Sequence, residues 1–381
     1  MNITELEKII AQIKKYQLEG EIRDIENWLG KLNKKQIKNF ISLDIYPLNK
    51  ISKFKFLLVN QEVLNSDYYL EDMMFVNNAK SDVIAGYLIN VAINEYSLGS
   101  KHHKEDMKLI SNTKNDNIAE CLRGVAVNIN SLESNYHKED MELIANANGD
   151  VIAECLKKVA MNKNSLESNY HKEDMKLIAN AKNDHIAECL TNVAVNINSL
   201  ESKYHKEDME LIANAKNDVI ARCLEGIAMD KNSLESKYHK EDMNLIANIT
   251  IKTILIARYS QELACNKNSL ESNYHKEDME LISNARSNEI AGCLIDVAMN
   301  KNSLESKYHR EDMKRLLDAK DDCDAKEIYN NIIKQYEVQN KKEESNYETF
   351  QEKIDAIHQN AVEYTDGDTT KELNDSVFTL K

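Results

Sequence analysis

Apolar positions in this chain recur at helical spacing, in a pattern that is copied many times. The stretch HKEDMELIANANGDVIAECLKKVAMNKNSLESNY, residues 137–170, represents it. Met141, Ile144 and Ala145, widened by Leu143 and Ala147, give one side of a helix over about 138–147. Ile152, Leu156 and Val159 fall at i, i+4 and i+7, flanked by Ala153, Cys155 and Ala160, and predict a second helix over 151–161. Asn148-Gly149-Asp150 breaks the chain between them, with Asp150 expected to cap the second helix. His137 is expected at the first N-cap, with Asp140 reaching back in an Asp variant of the capping box and Glu139 in the positive first turn. Asn162 fits a left-handed helix end. The remaining KNSLESNY reads as a connector anchored by Leu166 and Tyr170.

The unit recurs. HKEDM begins at His103, His137, His171, His205, His239 and His275, HREDM begins at His309, and a worn YLEDM begins at Tyr69. The spacing is 34 residues, except for 36 between His239 and His275. A single hairpin cannot bury its apolar stripe, so neighbours must cover it. The expectation is an all-α fold: a right-handed α-solenoid of about eight two-helix repeats over 69–336, with a helical N-terminal cap over 1–68. In the cap, helices are expected near 4–17, 20–30 and 33–42, anchored by Trp28, Leu29, Ile37, Phe40 and Ile41 and ended by Pro47. DAKDDCDAKEIYNNIIKQY resembles a modified last second helix. Residues 337–381 read as a polar, acidic tail, with one more polar helix over 341–363 and disorder beyond. In the copy starting at His239, NLIANITIKTILIARYSQELACNKN adds two residues and loses the acidic cap. A longer or shifted turn between Asn248 and Thr253, with a change of superhelical phase, is expected there.

Composition narrows the function. One Pro and nine Gly in 381 residues suit short-looped helices. The net charge of −15 repels phosphate, so it argues against nucleic acid and fits a basic protein better. No run of about 18 apolar residues exists, and the N-terminus mixes charges through its apolar positions, so the cytoplasm is the expected location. Of seven cysteines, Cys121, Cys155, Cys189, Cys223 and Cys293 share one repeat position, which reads as a copied packing slot rather than a disulfide framework. Each His-x-x-Asp pair offers two metal ligands on one turn, but capping accounts for seven equal copies, and no metal or cofactor is expected. His102 and His185 break the pattern singly and read as exposed accidents. No Gly-rich phosphate loop or nucleophile elbow occurs, and no enzyme activity is expected, the cap region included.

Paired helices with apolar faces, as in NDVIAECLKKVAMN, resemble the HEAT and armadillo class of α-solenoids. That resemblance implies a partner-binding scaffold. Armadillo proteins hold peptide backbones with an Asn ladder. Here Asn112, Asn146, Asn180, Asn214 and Asn284 form one column and Asn128, Asn162, Asn196 and Asn300 another, the second reading as caps. Unit length and helix–loop–helix order also resemble transcription-activator-like effector repeats. The base-facing positions that this implies are Asn148 and Gly149, Lys182 and Asn183, and Lys216 and Asn217. The acidity and the missing glycine-lysine loop argue against that role.

Positions that differ between near-identical copies carry the binding expectation. They are Asn117, Val151, His185, Val219 and Glu289; then Glu120, Glu154, Glu188, Arg222 and Gly292; then Gly124, Lys158, Asn192, Gly226 and Asp296. Within a unit they fall at i, i+3 and i+7, away from the Ile-Leu-Val stripe. The reading is a non-enzymatic scaffold binding a protein or peptide along this strip. The alternatives are a nucleic-acid-binding repeat protein and an acidic DNA mimic that inhibits a basic protein.

Overall fold

The computed structural model describes residues 1–43, 51–113, 115–249 and 254–338. Every regular element among them is helical. They fall into two compact units, one running from Met1 to Ala257 and the other beginning at Arg258, and the division runs through the helix Ile254–Cys265 of the odd copy. The turn expected at 248–253 lies largely outside the described residues, as do Pro47 and the tail beyond 338.

Each copy holds an A helix and a B helix where the apolar periodicity puts them. In the representative copy these are His137–Ala145 and Asp150–Met161. Met141, Ile144, Ile152, Leu156 and Val159 are buried, and the same positions are buried in the other copies of the first unit. The B helix packs on its own A helix and on both helices of the next copy. Successive copies thereby cover the stripe that one hairpin leaves open.

The connector is more ordered than its sequence suggests. A short third helix, the C helix, spans Lys163–Glu167. Asn162 is extended, not left-handed (φ −83°, ψ 118°), and it ends the B helix while capping the C helix: its side chain accepts from the Ser165 amide at 2.9 Å. Asn94, Asn128, Asn196, Asp230, Asn266 and Asn300 cap their C helices in the same way. The second Asn column is therefore made of N-caps. In the first column, Asn146, Asn180, Asn214 and Asn284 donate their side-chain amides to the carbonyl four residues earlier, at the end of the A helix.

Two capping expectations are corrected. The residue before the A helix is Tyr136, with no side-chain cap, and His137 is already helical. The B helix starts at Asp150 after Gly149, so Asp150 is not its cap. Instead Asp150 accepts from Asn115 of the preceding copy at 2.7 Å, and Asp218 accepts likewise from Asn183 at 3.1 Å. Loop cations supply a further link. Lys216 donates to the Asn248 carbonyl at 3.1 Å, and Arg286 to the Leu317 and Ala319 carbonyls at 3.1 and 2.6 Å, satisfying A-helix ends in the next copy.

The first residues pack as helices Ile3–Lys15, Ile25–Lys31 and Lys34–Ser42, followed by Ile51–Val59 and Gln61–Asn65. Phe40 is fully buried, and Trp28 lies edge-on to it while donating to the Val59 carbonyl at 3.2 Å. At the other end of the described chain, residues 322–338 form one continuous helix in place of separate B and C helices.

The cap role of the Asn column predicts a contrast within one connector. Asn162→Ala should cost about 1 kcal/mol in urea unfolding. Asn164→Ala, at an exposed C-helix position, should change stability by less than about 0.5 kcal/mol.

Candidate functional site

The repeated His and Asp meet across copies. Met-bearing A helices lie side by side, which brings the His that opens one A helix against the Asp at the fourth helical position of the preceding one. His Nε2 lies 2.9–3.0 Å from the Asp carboxylate in Asp72–His103, Asp106–His137, Asp140–His171, Asp174–His205, Asp208–His239 and Asp278–His309. The C helix delivers the third member. Ser131, Ser165, Ser199 and Ser233 place Oγ 3.0–3.1 Å from Nδ1 of the His six residues later. The ring face is covered too. Tyr136, Tyr170 and Tyr204 stack on the His of the following copy with centroids 4.6–4.7 Å apart. His102, read as an exposed accident, is instead half-buried in this Tyr position and packs 4.6 Å from the His137 ring.

A carboxylate only accepts hydrogen bonds, so its partners assign the tautomer: His Nε2–H donates to Asp, and Nδ1 accepts from the Ser hydroxyl. Each polar atom of the imidazole is thus satisfied inside the core. Ser, His and Asp are also the residues of acyl-transfer catalysis, but here the Ser and His are fully buried and the Asp is at most 3% exposed, so no substrate reaches them in this arrangement. The His and the Asp of one copy therefore bond to two different neighbouring copies. Among the described residues, no group of three His, Cys, Asp or Glu side chains is placed to hold a metal ion.

The electrostatics are those of an interior. Burial raises the carboxyl pKa of Asp72, Asp140, Asp174, Asp208 and Asp278 above the usual range, and the hydrogen bond from His opposes it. Both ends of the series are closed by tyrosine. Tyr69 stands where His would stand in the first copy, buried, and donates to the Leu58 carbonyl at 3.1 Å. Asp312 in the last copy accepts from Tyr336 at 2.7 Å and from Arg315 at 3.0 Å. The Tyr336 hydroxyl also lies 3.2 Å from Ser303 Oγ.

Beside each buried pair runs an exposed one. Lys104–Glu71, Lys172–Glu139 and Lys240–Glu207 approach to 2.7 Å between the same neighbouring A helices. The cysteine column is buried, and burial next to Glu154 pushes the Cys121 thiol up to about 12, so it stays protonated and unreactive at neutral pH.

The variable positions lie on B helices, exposed or half-exposed. Glu120, Lys158, His185, Glu188, Asn192, Arg222 and Asp296 are exposed; Gly124, Val151, Glu154, Val219, Gly226 and Glu289 are intermediate. Several also touch the next copy or a near neighbour. Tyr87 donates to Glu120 at 3.4 Å, Asn192 to Glu225 at 2.7 Å, and Lys326 pairs with Glu289 at 2.9 Å. Glu154 pairs with Lys157 and His185 lies 3.5 Å from Glu188. A side chain at Gly124 would meet Lys157 at 3.2 Å, and Gly292 makes room for Tyr259. The sequence signal for the ladder was present in HKEDM itself, but the partners lie 31 residues apart, which local spacing does not reveal. Three of the loop positions that resemble base-reading residues are engaged within the chain: Asn217 caps its own B helix, and Lys216 and Asn183 bond the next copy.

Two predictions test the ladder. His171→Ala leaves Asp140 buried without its partner and should cost about 3–5 kcal/mol, whereas Lys172→Ala next to it should cost under about 1 kcal/mol, both read by urea unfolding. A raised carboxyl pKa means that the folded chain binds the proton more tightly than the unfolded one. This contribution is complete below the ordinary Asp pKa and is lost as pH rises through the raised one. Asp140→Asn removes it, so the variant's stability relative to the parent should improve between pH 3.5 and pH 7; no drift, or the opposite drift, would refute the assignment.

Searches against family models, curated proteins and solved structures find no match to this chain.

Proposed function

We propose that the protein is a non-enzymatic, HEAT-like scaffold that binds a protein or peptide along the exposed sides of its B helices. One observation carries this reading. Residues repeated from copy to copy form the core and the links between copies, while a strip of exposed and half-exposed B-helix positions varies. A framework held constant beneath a varied face is what recognition of an extended partner requires. The acidity of the chain favours a basic partner. The absence of an enzymatic role is part of the same reading, since the one recurrent Ser–His–Asp arrangement is sealed in the core. A copied column of buried cysteines that serves as a packing slot fits a reducing compartment such as the cytoplasm. Among the described residues no helix is long and apolar enough to cross a membrane.

The test is a combined variant, Val151→Ser, Lys158→Ala, His185→Ala, Glu188→Ala, Asn192→Ala and Arg222→Ala, used to capture partners from extracts of the producing cells. Capture of the partner identified with the parent chain should fall at least tenfold with helical circular dichroism unchanged. A control altering exposed connector positions outside the strip, Lys163→Ala, Asn164→Ala and Glu167→Ala, should retain it. Equal capture by the strip variant and the parent would remove the strip from consideration.

A further inference from the structure

We propose that the outer face of the A helices pairs two molecules of this protein, antiparallel, about an axis between Glu142 and Lys176. Counted from the residue that opens each A helix, the sixth position reads Met74, Lys108, Glu142, Lys176, Glu210 and Asn244 over successive copies of the first unit. Met74 is half-buried and the other five are exposed. The next position in each helix is apolar and half-buried, as in Leu109, Leu143, Leu177 and Leu211. The A helices lie side by side, so the two positions make parallel columns, one charged and one apolar.

The charged column differs from the row one turn before it in what it touches. In that row Lys and Glu of neighbouring copies already pair, as in Lys172–Glu139 and Lys240–Glu207 at 2.7 Å. Lys108, Glu142, Lys176 and Glu210 make no side-chain hydrogen bond or ion pair with the described residues. The face thus presents four solvated charges of alternating sign in a row, and beside them leucines that keep part of their surface in water.

The complement of this row is the same row run backwards. Reversal about its midpoint sets Lys108 against Glu210 of the second molecule and Glu142 against its Lys176, and symmetry repeats both contacts. All four charges meet their opposites, and the uncharged ends, Met74 and Asn244, meet each other. The two-fold axis lies along the helices, which keeps the leucine column over its counterpart. Other pairings of the face fail. A two-fold along the column sets Lys on Lys, an axis through a helix sets like on like, and an axis moved by one copy leaves charges unmatched. Six A helices about 9 Å apart, each showing about 14 Å of its length, make a face of roughly 750 Å2, close to the ~800 Å2 that each side of a standard interface buries. These positions are distinct from the B-helix strip, so the failure of one reading leaves the other standing.

Sedimentation velocity of the full-length protein between about 1 and 100 µM tests this. The parent should pass from monomer to dimer over that range. Glu142→Lys alone, or Lys176→Glu alone, sets like charges together at both central contacts and should weaken the dimer at least tenfold. An equal mixture of the two single variants should recover it, because every charge in the mixed pair again meets its opposite, and the double variant should recover it for the same reason. A parent that stays monomeric throughout, a dimer that the single variants leave intact, or a mixture that remains monomeric overturns the proposal.

Discussion

The structure depends on one interaction: an imidazole that is satisfied only when two copies are in register. His103, His137, His171, His205, His239 and His309 each take their Ser from the connector just before them and their Asp from the preceding A helix. Neither ring nitrogen can find water, since the site is fully buried. A slip of one helical turn would strand a carboxylate and an imidazole in the core, at a cost of several kcal/mol per junction. Apolar stripes alone tolerate sliding, because methyl groups pack against many partners. The polar pair does not, and so it acts as the register mark of the stack.

That constraint explains otherwise separate features. The C helix is short, but its Asn cap holds Ser165 where His171 needs an acceptor's partner. The Tyr before each A helix covers the ring face of the next His. At the ends the demand disappears, and so do the residues: Tyr69 satisfies itself on the Leu58 carbonyl, while Tyr336 and Arg315 close Asp312. Exposed Lys–Glu pairs run parallel to the ladder and add little, since water screens them.

A molecule built this way separates its tasks by face. The A and C helices and the loop cations are committed to neighbours through bonds that recur in copy after copy. The outer side of the B helix is under weaker internal demand, and the copies diverge there. Even so, part of that divergence is answered from inside the chain: Gly292 accompanies Tyr259, and Asn192 reaches Glu225. Exposed side chains of the strip, among them Lys158 and the His185–Glu188 pair within one copy, are those on which the binding reading rests.

Periodicity in the sequence was enough to determine the helical class, the unit length, both main helices to within a residue or two, and the buried columns of Met, Ile, Leu, Val and Cys, because burial of an amphipathic stripe is a local property of spacing. It also marked the odd copy at His239 and the varied strip. What the sequence did not disclose was the use of its most regular motif. Within one copy, His137 and Asp140 look like a cap, since a helix start and an acid three residues on satisfy each other locally. Only the stacking of separate copies decided that His137 turns to Asp106 and Asp140 to His171. The same holds for Asp150, Lys216 and the connector's third helix. Their partners lie in another copy or depend on one, and distance along the chain carries no record of which surfaces will meet.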